Sequence, residues 1–439
     1  MDMPVKTFAA ILVACLALVY VVLFRKDCHD FRASILSHLG TRTPYRFVQN
    51  LDVSEIHYPG CEPLKMWSMI RHGSRKANVK HIEGYREKLE ALREKILLCL
   101  SQKKCGLCGD LKDDFENWQL GEVDRITSMD LVHEGEDEML LLGERMQMRF
   151  PSILPETYSR DIYKFRYTAT QRTQASAEQF SIGLFGRRES HRVVYPNPMH
   201  VDPLLRFYKL CDKWKEDVKK SGSCKIEGNK FANSKAMNKV MNKMKKRLHL
   251  DSITFDELST MYQVCGFETA ANRTHISPWC RVFDDEDIEV LEYSEDLKYY
   301  WRDGHGFDLN HEQACISYQD MVAHFQSDEP TKSVFYFSHS GTLLKMLSYL
   351  NLYEDELPLL SDNFDKQSNR LWRVSQIDAF GTNIAFVLYR CGDELKVLTL
   401  HQEKPVTIPN CSDEDDLCPL DFFLEKLEEC NFESLCSIS

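Results

Sequence analysis

Three times along this 439-residue chain a short apolar run leads into a tight polar turn and then into a helical pattern. Residues 64–70 (LKMWSMI) precede Arg71-His72-Gly73-Ser74-Arg75 and a charged helical stretch over about 83–100. Residues 163–167 (YKFRY) precede Thr168-Ala169-Thr170-Gln171-Arg172 and a helix running to about 184. Residues 333–338 (SVFYFS) precede His339-Ser340-Gly341-Thr342 and a helix over about 343–350. Strands alternating with helices predict an α/β fold with a doubly wound, mainly parallel sheet and helices on both faces. Ligands of such sheets sit beyond the carboxyl ends of the strands, so the three polar turns are expected around one crevice. Residues 383–390 and 395–401 flank Cys391-Gly392-Asp393-Glu394 and predict a hairpin at an antiparallel edge.

Between the second and third units the pattern changes. Residues from about 206 to 300 are rich in helical periodicity and poor in strand patterning, which predicts an inserted all-α cap. The expected division is an α/β core from 27–80, 151–205 and 321–439, and a helical cap from 81–150 and 206–320. A chain of this length accommodates one large domain with such an insertion.

The first turn carries the densest chemistry. Two guanidiniums flank an imidazole immediately after a strand. Arginine binds phosphate oxygens through paired, permanently charged hydrogen bonds. A neutral imidazole nitrogen is nucleophilic near neutral pH and is able to carry a phosphoryl group. Gly73 allows a sharp turn and close approach of a ligand.

At these residues the sequence resembles a known family. Arg71-His72-Gly73-Ser74-Arg75 is similar to the signature of the branch 2 histidine acid phosphatases, a phosphoglycerate mutase-like fold. Residues 165–177 (FRYTATQRTQASA) resemble the segment holding that superfamily's third phosphate-binding arginine, which falls on Arg172. Residues 265–268 (CGFE), 277–283 (SPWCRVF), 291–293 (LEY) and 297–301 (LKYYW) resemble the multiple inositol polyphosphate phosphatase branch. The likeness runs from about residue 61 to 404. It implies attack by His72 on a phosphate, a phosphohistidine intermediate and its hydrolysis by water. Arg71, Arg75 and Arg172 would hold the phosphate oxygens, with His339 as a further phosphate contact in the catalytic group. The implied substrate is an inositol polyphosphate of the phytate kind. The resemblance calls for no metal and no organic cofactor, because arginines take the cation's place. It also implies disulfides Cys61–Cys391 and Cys265–Cys280, the second spanning Asn272.

One departure bears on the chemistry. In the family the third turn follows its histidine with a carboxylic acid, His-Asp or His-Ala-Glu, which protonates the departing oxygen. Here Gly341 stands at the acid's place. Loss of a general acid against an alkoxide leaving group costs roughly 10²- to 10⁴-fold. Three accounts stay open: His339 itself as the acid, a carboxylate from the cap or from Glu354, Asp355, Glu356, Asp362 or Asp365, or a protein that binds phosphorylated ligands with little turnover. A broad-specificity acid phosphatase is a further alternative. A smaller departure is Ala77, where many relatives have proline.

The formal net charge of -12 argues against a general nucleic-acid binder, so no nucleic-acid partner is expected and an anionic ligand must be gathered locally. The stretch 213–247 reverses the sign with a run of lysines, which reads either as a field for a polyphosphate or as a solvated helical face. The 18 residues 7–24 carry no charge, a length between a signal-peptide core and a minimal membrane span. Residues 1–26 are therefore expected to be a signal peptide or a signal anchor, with 7–24 as a possible membrane tether. The chain holds 16 cysteines, Cys15 within that run. This density, with the sequons at Asn272 and Asn410, predicts a glycosylated, disulfide-bonded protein of the secretory pathway. The expected location is extracellular, at the cell surface or in the endoplasmic reticulum lumen. Cys105-Gly106-Leu107-Cys108 has the spacing of a metal or redox pair but lacks a second such pair for a zinc site.

Overall fold

The computed structural model describes residues 31–120, 128–411, 416–427 and 430–438. Its centre is a mixed sheet. The strands are β1 (Cys61–Arg71), β2 (Tyr163–Tyr167), β3 (Ser333–Ser338), β4 (Asn383–Cys391), β5 (Glu394–His401), β6 (Lys404–Pro405) and β7 (Leu417–Pro419). Their order is β2-β3-β1-β4-β5-β6, with β7 also on β5. β2, β3 and β1 run parallel, whereas β4, β5, β6 and β7 add on as antiparallel neighbours. In the parallel half Tyr167 pairs with Phe337, Ile70 with Phe337 and Arg71 with Ser338. The three strands thus end level, and the polar turns that follow them open onto one rim.

Both faces of the sheet are covered, which is why its strands read as nearly unbroken apolar runs. Side chains alternate between the faces with the strand period of two. On β3, Val334 and Tyr336 join the larger core cluster, and Phe335 and Phe337 the smaller one. The smaller cluster is closed by α2 (His133–Arg149) and α3 (Gln171–Ser190), α3 being broken near its end at Gly186. These two helices cross in tight contact, since a Cβ on Gly143 would collide with the Phe180 carbonyl and one on Gly183 with that of Leu140. The larger cluster is continuous with the cap. It joins α1 (Val79–Ser101), α4 (Lys235–Arg247), α5 (Phe255–Ala271), α6 (Asp285–Asp303), α7 (Cys315–Gln326) and α8 (Ser340–Tyr349). Capping boxes start two of these helices, Thr254 with Glu257 on α5 and Asp284 with Asp287 on α6.

Met139, Leu142 and Met146 of α2 pack with Phe165 and Phe335 of the sheet. A buried cluster fastens the same helix to the far edge of the sheet. Glu403, fully buried, accepts hydrogen bonds from Arg145 (2.7 and 2.8 Å), Arg149 and the Tyr45 hydroxyl (2.8 Å).

Six disulfides join described residues: Cys61–Cys391, Cys99–Cys105, Cys211–Cys436, Cys265–Cys280, Cys315–Cys430 and Cys411–Cys418. Cys105 is therefore bonded outside its CxxC motif, and among the described residues Cys224 is a free, buried thiol. This cross-linking suits folding in an oxidising, secretory or lumenal compartment. No helix among the described residues is long and apolar enough to cross a membrane, and the uncharged run at 7–24 lies outside them. Asn272 and Asn410 are both exposed.

Candidate active site

His72 follows β1 directly and is held by its backbone from two sides. Its N–H donates to the Ser338 carbonyl (3.2 Å), and its carbonyl accepts from the N–H of Gly381 (3.1 Å). The side-chain Nδ1 lies 2.9 Å from the Gly73 carbonyl. A carbonyl only accepts, so Nδ1 carries the proton and Nε2 keeps its lone pair. The turn is locked from beneath by the first turn of α2. A Cβ on Gly73 would stand 2.5 Å from the Gly135 carbonyl oxygen, so only glycine lets the two backbones approach this closely. Glu138, on the next turn of α2, accepts from the Ser74 N–H (2.7 Å), the Ser74 hydroxyl (2.9 Å) and the Tyr45 N–H (2.9 Å). Burial pushes its carboxyl up to about 7 despite these bonds.

The other two turns bring further charge to the same point. The ring centroids of His72 and His339 lie 5.5 Å apart. Arg172 Nη2 donates to His339 Nδ1 (3.3 Å), and His339 Nε2 faces the Thr168 hydroxyl at 2.9 Å. With Nδ1 accepting from a guanidinium, the proton of His339 sits on Nε2 and points at Thr168. Burial, then Arg172 and Arg71, hold the His72 imidazole well below the usual histidine range. Burial, then Arg172 and Arg206, do the same to His339. Arg71, His72, Arg75, Arg172 and His339 thus act on one another electrostatically. This is the convergence that the three turns predict. Both imidazoles are neutral, one with a free nitrogen, inside a ring of permanent positive charge.

That ring is short of anions. The Nε atoms of Arg71, Arg75, Arg172 and Arg206 are all buried without a hydrogen-bond partner. Arg71 donates through Nη1 to the Asp378 carbonyl and stacks on Phe380 at 4.6 Å, and Arg75 lies over Phe267 at 5.6 Å. Burial, then Arg172 and Arg71, lower the proton affinity of Arg75 to a pKa of about 9. A tetrahedral dianion would relieve this repulsion and satisfy the stranded donors. Arg206 is a member that sequence reasoning missed, for it belongs to no strand-turn-helix unit. A turn built on Asp202 places it. Asp202 Oδ1 accepts the N–H groups of Leu204 and Leu205 (both 2.9 Å). The Leu205 carbonyl in turn accepts from the hydroxyls of Ser338 (2.6 Å) and Thr342 (2.7 Å).

Around Gly341 two carboxylates occupy different states. A Cβ on Gly341 would lie 3.3 Å from Asp303 Oδ1. Asp303 is bound to Arg302 (2.7 Å) and Lys345 (3.1 Å), which outweigh its burial and hold it below the usual carboxylate range. It is an ionised acceptor with no proton to give. Asp378 is the other, and burial, against Arg71 and Ser340, pushes it up to about 7. Three of the five loop acids lie elsewhere. Asp355 accepts the N–H groups of Leu371 and Trp372, while Asp362 and Asp365 line a cavity of 790 Å³ in the cap. Lys230, Lys235, Lys239 and Lys243 line that same cavity, to which no residue of the three turns contributes. Much of the lysine run is spent on local pairs: Lys215 with Asp212, Lys220 with Glu216, Lys230 with Glu227, and Lys239 and Lys243 with Glu286.

The profile of the Histidine phosphatase superfamily (branch 2) matches residues 65–405. Multiple inositol polyphosphate phosphatase 1 of Drosophila melanogaster is 32% identical over 416 residues, covering 92% of this chain and 86% of its own length. The Homo sapiens protein of the same name is 28% identical over 421 residues, covering 88% and 84%. Among solved structures, the phytase from D. castellii superposes with a TM-score of 0.75 at 18% identity, covering 92% of this chain and 87% of that one. A Bifidobacterium longum multiple inositol polyphosphate phosphatase, solved with inositol hexasulfate, gives 0.68 at 14% identity, covering 88% and 96%. The imidazole flanked by stranded guanidiniums lies within the matched span, and the chain belongs to branch 2 of the histidine phosphatase superfamily.

Proposed function

We propose that this protein is a phosphomonoesterase that removes phosphate from inositol polyphosphates through a phosphohistidine on His72. The observation that carries this reading is the neutral His72 imidazole, its Nε2 unprotonated, among four arginine Nε atoms that lack partners. Such a cradle holds the three non-bridging oxygens of a phosphoryl group while Nε2 attacks phosphorus from the side opposite the leaving oxygen. Arg71, Arg75 and Arg172 neutralise the charge that builds on those oxygens. His339 positions Arg172 and contacts the phosphate. An inositol polyphosphate is the substrate class that fits the relatives' names, and the inositol-ring anion bound by the Bifidobacterium longum protein is of the same shape.

The test is phosphate release from inositol hexakisphosphate by the lumenal portion and by His72→Ala. We expect turnover by the natural chain and none by the variant, which still binds inorganic phosphate. Because the His72 imidazole is held well below the usual histidine range, the nucleophile takes up a proton only at a lower pH than a free histidine does. Tight binding of inositol hexakisphosphate without turnover would favour a binding protein instead, a reading that Gly341 keeps in play. Equal efficiency on small aryl phosphates would favour a broad-specificity phosphatase. In this reading the uncharged run at 7–24 holds the enzyme to a lumenal membrane face and Asn272 and Asn410 carry glycans; alkaline carbonate extraction and glycosidase digestion test these two points.

A further inference from the structure

We propose that Ser340 and Asp378 together take the place of the acid missing at position 341, as a two-residue proton relay to the departing inositol oxygen. This rests on the phosphatase reading above. Ser340 directly follows His339, whose ring lies 5.5 Å from that of His72, and it remains partly exposed. Its hydroxyl donates to Asp378 Oδ2, a bond that reverses when Oδ2 takes up a proton. Asp378 is fully buried behind it, and its Oδ1 makes no hydrogen bond. A buried carboxylate with a stranded oxygen is costly unless it takes up a proton. The charged groups acting on it are Arg71, whose Nη1 is 3.6 Å from Oδ1, and Asp303 with Arg302 on α6. Burial and Asp303 favour the protonated form, Arg71, the hydrogen bond from Ser340 and Arg302 oppose it, and the balance lies at about 7. Asp303, nearer to Gly341, does not serve, because Arg302 and Lys345 keep it ionised.

With Asp378 protonated on Oδ2, that proton is donated to Ser340 Oγ, and the Ser340 O–H is free to turn towards the substrate. As His72 Nε2 bonds to phosphorus and the bond from phosphorus to the inositol oxygen breaks, the Ser340 proton passes to that oxygen. The Asp378 proton replaces it on Ser340. In the second step water attacks phosphorus as the bond from phosphorus to His72 Nε2 breaks, both water protons leave on the phosphate, and Asp378 is reprotonated from solvent. A hydroxyl alone is too weak an acid for this, and Asp378 alone is screened by Ser340. As a pair they form one general acid.

The relay is loaded when Asp378 is protonated, so turnover of inositol hexakisphosphate falls as pH rises through about 7. The deciding experiment measures steady-state rates on inositol hexakisphosphate and on p-nitrophenyl phosphate across pH, for the natural chain, Asp378→Asn, Ser340→Ala and Ser340→Thr. The nitrophenolate departs without help, so only the inositol ester needs the acid. We expect Asp378→Asn and Ser340→Ala to lower kcat on inositol hexakisphosphate roughly 10²- to 10⁴-fold and to lose the alkaline limb, with kcat on the aryl ester within about tenfold. Ser340→Thr, which keeps the hydroxyl, retains turnover of both. Equal losses on both substrates, or no loss on the inositol ester, overturn the relay. If Asp378→Asn does not fold, the contrast between Ser340→Ala and Ser340→Thr still separates a working relay from none. Turnover by the natural chain, absent in His72→Ala and undiminished in Asp378→Asn and Ser340→Ala, removes the relay alone. No turnover by the natural chain removes the parent reading with it.

Discussion

Arg206 illustrates how a residue is tuned for its ligand at the expense of the empty protein. Its Nε is buried without a partner, and its charge depresses both Arg172 and His339. Replacing it should therefore act in opposite directions on stability and binding. Arg206→Ala is expected to raise the melting temperature of the unliganded protein, because one of several mutually repelling, partly buried charges is gone. The same change removes a charge-assisted donor worth about 1.5–3 kcal/mol, so affinity for inorganic phosphate falls by roughly tenfold or more. Thermal melts with and without phosphate read both quantities in one experiment. A lower melting temperature with unchanged affinity for phosphate would mean that Arg206 is structural support and faces no anion.

At the scale of elements, the three strand-turn-helix units were legible because the information in each is local. An apolar run, a turn rich in polar residues and a helical period need no distant partner to be recognised. Other features were hidden because their meaning depends on what lies opposite. The α2 sequence is crowded with Glu134, Glu138, Arg145 and Arg149, which masks the apolar face that packs on the sheet. These charges are tolerated inside only because Arg46 and Arg273 answer Glu134, Ser74 and Tyr45 answer Glu138, and Glu403 answers Arg145 and Arg149. Asp378 and Arg206 lie on irregular segments with no period to mark them. The lysine run suggests a field for the substrate, and much of it instead pairs with nearby acids, Lys239 and Lys243 with those at the start of α6. The Glu403 cluster gives a test at this scale. Glu403→Gln leaves Arg145 and Arg149 buried beside a neutral amide, and loss of one partner in such a group costs about 3–5 kcal/mol. Urea denaturation should show this destabilisation, with the remaining native protein keeping its turnover of inositol hexakisphosphate.

In the whole molecule, cap and core are joined over long sequence distances. Cys211–Cys436 closes a separation of 225 residues and Cys315–Cys430 one of 115, so the last part of the chain is fastened to the cap entrance and to α7. Replacing Cys211 and Cys436 together by serine should cost roughly 2–5 kcal/mol, chiefly by freeing the unfolded chain. Differential scanning calorimetry of the double variant measures this, and an unchanged transition would show that packing alone fixes the tail. The strand order carries a consequence for biosynthesis. β1 is flanked by β3 and β4, so the strand that delivers His72 has both neighbours encoded far downstream of itself, Cys61 pairing with Cys391. At ~5–20 residues per second a ribosome needs roughly 15–60 s to supply them after β1 has emerged. For that interval the nascent chain presents an unpaired apolar strand to the translocation machinery, and lumenal chaperones must shelter it before the nucleophile has a pocket to occupy.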